Sequence, residues 1–97
     1  MVNAIVLLRV QRDIINEVAQ ALVDMKGVSE VYSVAGQYDL VAILRARDDD
    51  EFAGIVTESM LKVEGIMSSE TLVAFRAYSR HDLERLFAVG MDEPPPP

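Results

Sequence analysis

The chain of 97 residues contains no cysteine, no tryptophan and a single histidine. The absence of cysteine excludes disulfide bonds, zinc sites built from thiolates, and cysteine nucleophiles. His81 has no second histidine to share a metal, and its neighbours Arg80 and Asp82 favour a solvated position at the start of a helix. We therefore predict neither a cofactor nor a metal site.

Basic residues and long apolar segments are also scarce. Nine lysines and arginines face sixteen aspartates and glutamates, which gives a formal net charge of −7. Nucleic-acid binding requires a basic surface that replaces counterions on phosphate, so direct binding to nucleic acid or to an anionic membrane is disfavoured. No apolar run approaches the ~20 residues of a membrane span, and the first residues lack the pattern of a signal peptide. The expected location is the cytoplasm.

The sequence does contain a globular composition and an internal repeat. Hydrophobic residues make up 51% of the chain and charged residues 26%, which is typical of a folded domain. A shift of 38 residues aligns residues 4–6 (AIV) with residues 42–44 (AIL), and aligns Gly27 with Gly65. Each of the two units reads strand, helix, strand.

Helical spacing of apolar residues predicts two helices, over about residues 13–26 and 49–64. Asp13 is the predicted N-cap of the first helix, Gly27 fits the left-handed position at its end, and Gly65 ends the second helix. Segments rich in valine, isoleucine and leucine predict four strands, Val2–Val10, Val28–Ala35, Asp39–Arg47 and Ile66–Tyr78. Right-handed crossovers then place both helices on one face of an antiparallel sheet, which is an α+β, ferredoxin-like β-α-β-β-α-β sandwich.

The last part of the chain has a different character. Leu83, Leu86 and Phe87 recur at helical spacing and predict a short third helix over about residues 80–90. The proline-rich residues 91–97 are predicted to be a disordered, extended end. We therefore assign the ferredoxin-like domain to residues 1–79.

Both faces of the predicted sheet are apolar. In the first strand, Ile5 and Leu7 point away from Val6 and Leu8, and in the fourth strand Leu72 opposes its neighbours. Monomeric proteins rarely expose a contiguous apolar patch of this kind. We predict that the face without helices packs against a second copy of the chain in a dimer or a larger assembly. The alternative is that the C-terminal helix folds back over it.

The candidate binding site is the stretch VAGQYDL, residues 34–40. Gly36 and Gln37 fit the centre of a two-residue type II′ hairpin. Asp39 opens an otherwise apolar strand and shares the face of Val41 and Ile43. Its carboxylate is suited to an ammonium group, and backbone N–H groups near Gly36 are suited to a carboxylate. The alternative is a simple turn with a solvated aspartate.

Two further polar stretches have competing interpretations. The acidic run at residues 47–51 (RDDDE) favours a helix N-terminus over a metal site, because successive helical residues fan out by about 100°. Ser69 and Thr71 lie on one face of the fourth strand, with Ser68 and Glu70 on the other. Their hydroxyls suit either a polar ligand or bonds to neighbouring strands. No histidine–aspartate pattern supports a serine nucleophile.

Residues 26–52 (KGVSEVYSVAGQYDLVAILRARDDDEF) and 64–75 (EGIMSSETLVAF) together resemble one known family. They are similar to the effector-binding (RAM) domain of the Lrp/AsnC feast/famine transcription regulators, with its G-x-x-D turn and its serine- and threonine-rich last strand. The resemblance covers about residues 1–79. It implies a ferredoxin-like fold that dimerises through its sheets and assembles further into octamers or rings.

The resemblance also implies a site. Small effectors, typically amino acids, would bind between dimers near the turn of residues 36–39. Gly36, Tyr38 and Asp39 would form one wall together with Gln37, and Thr71 and Ser69 would face it. The sequence opens directly on the first strand without a helix-turn-helix segment, so we expect a stand-alone member that does not bind DNA by itself. A full-length Lrp/AsnC regulator is a candidate partner for co-assembly.

The favoured function is therefore a non-enzymatic, oligomeric module that senses an amino acid and modulates transcription. The ACT domain, another amino-acid-binding module, shares the same order of elements and is an alternative at the level of fold. A cofactor-independent monooxygenase of the dimeric α/β-barrel type is a second alternative. It requires a pocket inside each subunit and polar catalytic groups, which this sequence supplies poorly. A structural subunit without any effector is a third.

Overall fold

The computed structural model describes residues 1–76 together with Tyr78 and Arg80. The main elements are β1 (Val2–Val10), α1 (Ile15–Val23), β2 (Val28–Ser33), β3 (Leu40–Ala46), α2 (Asp49–Gly54) and β4 (Ile66–Ala74). All three strand pairs are antiparallel, and the order across the sheet is β2-β3-β1-β4. This confirms the predicted ferredoxin-like α+β fold. Apart from Arg80, the predicted third helix and the proline-rich tail lie outside the described residues.

The internal repeat appears in the structure as an approximate twofold axis. Ile5 of β1 and Ile43 of β3, which the 38-residue shift relates, pair directly with each other across the two central strands. Their neighbours pair crosswise, Ala4 with Leu44 and Val6 with Ala42. The axis therefore passes between the two strands at the Ile5–Ile43 pair, and the sequence repeat relates one half of the sheet to the other.

The first helix is shorter and less regular than its apolar spacing predicts. A turn of 3₁₀ helix, Arg12–Ile14, precedes α1, and α1 ends at Val23. The prediction that Asp13 caps this helix is wrong, because Asp13 lies inside the 3₁₀ turn and no side chain caps it. The prediction for Gly27 is correct in its conformation, with φ of +94°, although a turn separates it from the last residue of α1.

The second helix begins where the acidic run predicts. The side chain of Asp48 accepts a hydrogen bond of 2.8 Å from the Glu51 N–H and caps α2, as expected for an acidic helix N-terminus. After α2 the chain continues as a π turn (Ile55–Ser59) and a 3₁₀ turn (Met60–Lys62), not as one α-helix. Gly54 is a weak helix former, and Thr57 Oγ1 donates to the Ala53 carbonyl, which disturbs the regular backbone ladder.

Gly27 and Gly65 each lie against the helix of the opposite repeat. A Cβ added to Gly65 would lie 2.4 Å from Ile14 Cδ1 and 2.9 Å from Val18 Cγ2. A Cβ added to Gly27 would lie 2.3 Å from Ile55 Cδ1. Both glycines also have positive φ, so backbone conformation and close packing require the same residue type. Each glycine thus allows the helical segment of the other repeat to pack closely against it.

The two faces of the sheet differ in burial. One face, which we call the covered face, lies under the two helices. Its core contains Ala4, Val6, Leu8, Val10, Val18, Leu22, Val28, Leu40, Ala42, Leu44, Ala46, Ile55 and Met60. The other, which we call the open face, carries the alternate strand residues Ile5, Leu7, Val41, Ile43 and Leu72. Ile5 is 36% exposed and Leu72 46% exposed, so the predicted second apolar face is present.

Candidate functional site

The link between β2 and β3 forms the candidate site, and we call residues 34–39 the corner loop. The predicted two-residue type II′ hairpin is wrong, because the last pair of the ladder is Ser33 with Leu40 and six residues lie between them. The Val34 N–H donates to the Asp39 carbonyl at 3.0 Å and closes the base of the loop. Four residues therefore project beyond the end of the sheet.

Asp39 anchors the corner loop to the end of β1. Its N–H donates to the Leu8 carbonyl at 2.8 Å, and its Oδ2 accepts from the Val10 N–H at 3.0 Å. The side chain is half-buried, so the solvated aspartate of the alternative interpretation is not what the structure shows. The second carboxylate oxygen, Oδ1, has no partner among the described residues. Asp39 is thus fixed in place and still has one oxygen available for a donor.

Gly36 has a backbone conformation that other residues avoid and an empty space beside it. Its φ is +148°, and a Cβ built on it would meet no atom of the chain within 4 Å. The N–H groups of Gly36 and Gln37 donate to no residue in the described part of the chain. Gly36 is therefore required by the shape of the loop and not by packing within the chain. The loop that carries Asp39 therefore also carries two backbone donors without an acceptor among the described residues.

Tyr38 extends across the end of β1 to β4. Its hydroxyl donates to Glu70 Oε2 at 2.6 Å, and the guanidinium carbon of Arg9 lies 5.7 Å from the centre of its ring. The hydrogen bond to the Glu70 carboxylate raises the pKa of Tyr38 above its ordinary value, with smaller contributions from desolvation and from the charge of Glu70. Since Glu70 pairs with Leu7, this cluster lies at one end of the open face.

Sequence reasoning missed Arg9 and Glu70 as members of this corner. Both are charged residues on the same face of their strands as the apolar Ile5, Leu7 and Leu72, and that interruption is the signal that could have drawn attention to them. Their meeting depends on the register of β4 against β1, which pairs Glu70 with Leu7 and Ser68 with Arg9. The hydrophobic pattern gave the face of each residue but not this register.

Ser69 and Thr71 do not meet the corner loop in this chain. They pair with Leu8 and Val6, which are buried under the helices, so both side chains belong to the covered face. Ser69 lines a cavity of about 20 Å³ with Val6, Leu8, Val56, Met60, Leu61 and Ile66. That volume holds about one water molecule, so this cavity has no room for the organic substrate of a monooxygenase. The residue of β4 that contacts the corner loop is Glu70, through the hydroxyl of Tyr38.

The described residues lack two features that would point to other functions. Within residues 1–76, Tyr78 and Arg80, no group of three histidine, aspartate or glutamate side chains converges closely enough to hold a metal ion. In the same part of the chain, no helix has the length and apolarity needed to cross a membrane.

The chain resembles transcription regulators in sequence. The model of the Lrp/AsnC ligand binding domain matches residues 3–83. The uncharacterized HTH-type transcriptional regulator PF0250 of Pyrococcus furiosus is 36% identical over 59 residues. That match covers 61% of this chain and 39% of the regulator, so the chain matches less than half the length of its curated relative.

Solved structures share the fold. TTHA0845 from Thermus thermophilus superposes with a TM-score of 0.76 at 44% identity, covering 82% of this chain and all of that one. The transcriptional regulator NMB0573 of Neisseria meningitidis, solved as a complex with L-Met, has a TM-score of 0.72 at 14% identity. The match covers 80% of this chain and 52% of the regulator, and at that identity it speaks for the fold alone.

Proposed function

The chain belongs to the Lrp/AsnC ligand-binding domain family, and from this premise we propose that it is a non-enzymatic, oligomeric sensor of an amino acid. The observation that carries the proposal is the geometry of the corner loop. Asp39 keeps one carboxylate oxygen without a partner in the described chain, and the same loop carries the backbone N–H groups of Gly36 and Gln37, which have no acceptor there either. An acceptor and two donors at one corner match the two charged ends of an α-amino acid.

In the proposed complex, Asp39 accepts from the ammonium group and the Gly36 and Gln37 N–H groups donate to the carboxylate. Charge-assisted hydrogen bonds of this kind contribute about 1.5–3 kcal/mol each. Tyr38, held by Glu70, forms the adjoining wall. The Neisseria regulator that shares this fold was solved as a complex with L-Met, and the proposal extends this ligand class to the present chain. Ser69 and Thr71, which face away within one chain, join the site only if a neighbouring copy presents them.

The open face supports the assembly part of the proposal. Ile5 and Leu72 are exposed on it, and Leu7, Val41 and Ile43 beside them are only half-buried. Covering this face with the same face of a second copy removes the apolar surface from water in an isologous dimer. Because the corner loop borders the open face, dimer formation places the ligand site next to a seam between copies.

The mechanism of sensing is linkage. An amino acid that binds one assembly more tightly than another shifts the population towards the assembly it prefers, by its difference in affinity. We propose that the dimers associate into an octamer or a ring and that the ligand changes this association. Co-assembly with a full-length Lrp/AsnC regulator in the cytoplasm would transmit the change to transcription.

A thermal-shift screen with the twenty amino acids, followed by calorimetry, tests the proposal. A ligand at 100 times its Kd stabilises the folded protein by about 2.7 kcal/mol. Asp39→Asn should weaken binding by about 10- to 100-fold, since it removes the charge while its amide oxygen still accepts from the Val10 N–H.

Asp13→Asn is the matched control, because Asp13 is exposed and lies in the 3₁₀ turn before α1. Its binding should equal that of the wild type. If none of the twenty amino acids shifts the unfolding temperature, the sensing function is contradicted. If Asp39→Asn binds as well as the control, the placement of the ammonium group is contradicted.

A further inference from the structure

We infer that Arg9 anchors the carboxylate of the ligand and makes the site selective for α-amino acids over their neutral α-amides. This inference rests on the proposed function, because it assigns a further residue to the same corner. Arg9 lies next to the last residue of β1, opposite Asp39 if the register of β1 with β3 is continued, and its guanidinium lies over the Tyr38 ring.

The charge of Arg9 is not neutralised by the rest of the described chain. Its guanidinium forms no ion pair with a described residue, although the carboxylates of Asp39 and Glu70 are at the same corner. Each carboxylate instead accepts a neutral donor, the Val10 N–H for Asp39 and the Tyr38 hydroxyl for Glu70. The guanidinium therefore keeps its donors for a group that comes from outside the chain.

The electrostatics of the corner favour such a cation. Asp39 and Glu70 bring two negative charges to a protein whose net charge is already −7, and both repel an incoming carboxylate. The backbone N–H groups of Gly36 and Gln37 contribute dipoles but no net charge. Of the described residues at the corner, Arg9 supplies the positive charge, and a guanidinium binds carboxylates in a bidentate manner.

The Tyr38 ring holds the guanidinium where the ligand needs it. A guanidinium 5.7 Å from an aromatic centroid is attracted to the face of the ring, which reduces the freedom of a long and exposed side chain. Tyr38 is itself fixed by Glu70 at 2.6 Å, so the chain of contacts runs from β4 through Tyr38 to Arg9. The result is a cation placed beside the corner loop before the ligand arrives.

The test compares each amino acid that binds in the screen with its α-amide, by calorimetry at a pH where both amino groups are protonated. The amide keeps the ammonium group and the side chain but lacks the negative charge. We expect the wild type to bind the amino acid at least about 10-fold more tightly than its amide. In Arg9→Gln, affinity for the amino acid should fall by about 10-fold, whereas affinity for the amide should change little.

Arg9→Lys is the conservative variant and should retain a preference for the amino acid, because it keeps the positive charge. A residue that only supported Tyr38 would weaken both ligands equally in Arg9→Gln, and an unchanged ratio of the two affinities would overturn the assignment. This outcome is distinct from failure of the proposed function, in which the wild type binds none of the twenty amino acids.

Discussion

The covered and open faces of the sheet are built from alternate residues of the same strands, yet they differ in burial and in composition. On β3, Leu44 is fully buried beneath the helices, while its neighbour Ile43 points to the open face and remains partly exposed. At β1 and β3 the covered face is buried within one chain, with Val6 at 1% and Leu40 at 0% exposure, whereas Val73 of β4 on the same face is 50% exposed. The open face is apolar in its centre and polar at the end where Arg9, Tyr38 and Glu70 meet. The apolar centre of the open face fits the proposed dimer contact, and its polar end fits the proposed amino-acid site.

The difference between the two faces separates residues that stabilise the single chain from residues that are available for association. Burial on the covered face stabilises the single chain, because its side chains leave water when the helices pack on the sheet. In the proposed dimer, apolar side chains of the open face gain the same stabilisation from a second copy of the chain. Substitutions at adjacent positions of one strand should therefore affect different equilibria.

The largest expected effect is on the covered face. Leu44→Ala should lower the free energy of unfolding by about 2–5 kcal/mol, because it leaves a cavity at a site with 0% exposure. The matched variant is Ile43→Ala, which should cost less and whose cost should depend on protein concentration. Urea denaturation at several concentrations measures both. Equal, concentration-independent losses would mean that the two faces do not differ in this way.

A second pair of substitutions compares Gly65, which packs against the first helix, with Gly36, which packs against no atom of the chain. Gly65→Ala should destabilise the chain by about 1–3 kcal/mol, because the new Cβ meets Ile14 and Val18 and φ is positive. Gly36→Ala meets no atom of the chain and should cost only the backbone strain, about 1 kcal/mol. Thermal unfolding measures the two losses, and a larger loss for Gly36→Ala would contradict the open space at the corner.

The smallest effect concerns two tyrosines at the open face. Hydrogen bonds to Glu70 and Glu30 raise the pKa of Tyr38 and of Tyr32 above the ordinary value near 10.0. A raised pKa means that each bond stabilises the fold below that ordinary value, and that the contribution disappears as the pH rises through the raised pKa.

Ultraviolet titration of tyrosinate checks these shifts. Glu70→Gln should lower the pKa of Tyr38 alone, and Glu30→Gln should lower that of Tyr32 alone. A titration curve that is the same in both variants and in the wild type would show that neither carboxylate holds its tyrosine.

Much of the fold was predictable from the sequence, because the spacing of apolar residues indicates whether a segment is a helix or a strand and which of its faces is apolar. All of β1 and the face assignments of Ile5, Leu7 and Leu72 follow from alternation. The breakdown of the second helix after Gly54 was not predictable, since apolar spacing at residues 55–63 continues through the π and 3₁₀ turns.

The site was predictable only in part. The G-x-x-D motif drew attention to Gly36 and Asp39, but the hydrogen bond from Val10 to Asp39 depends on where β1 ends. Likewise, Tyr38 reaches Glu70 and not Ser68 or Leu72, which share its face, because the strand register decides which residue of that face lies at the corner. Local patterns fix the face of a residue, while contacts between strands distant in sequence require the register.

The most direct measurement is sedimentation equilibrium at low micromolar concentration, with Ile43→Glu and Leu61→Glu compared with the wild type. Leu61 is 72% exposed but lines the covered side, so it controls for the loss of an exposed apolar residue. The account predicts that the wild type and Leu61→Glu sediment at twice the 10.8 kDa chain mass or more, and that Ile43→Glu sediments near one chain mass. A wild type that sediments as a single chain would contradict it.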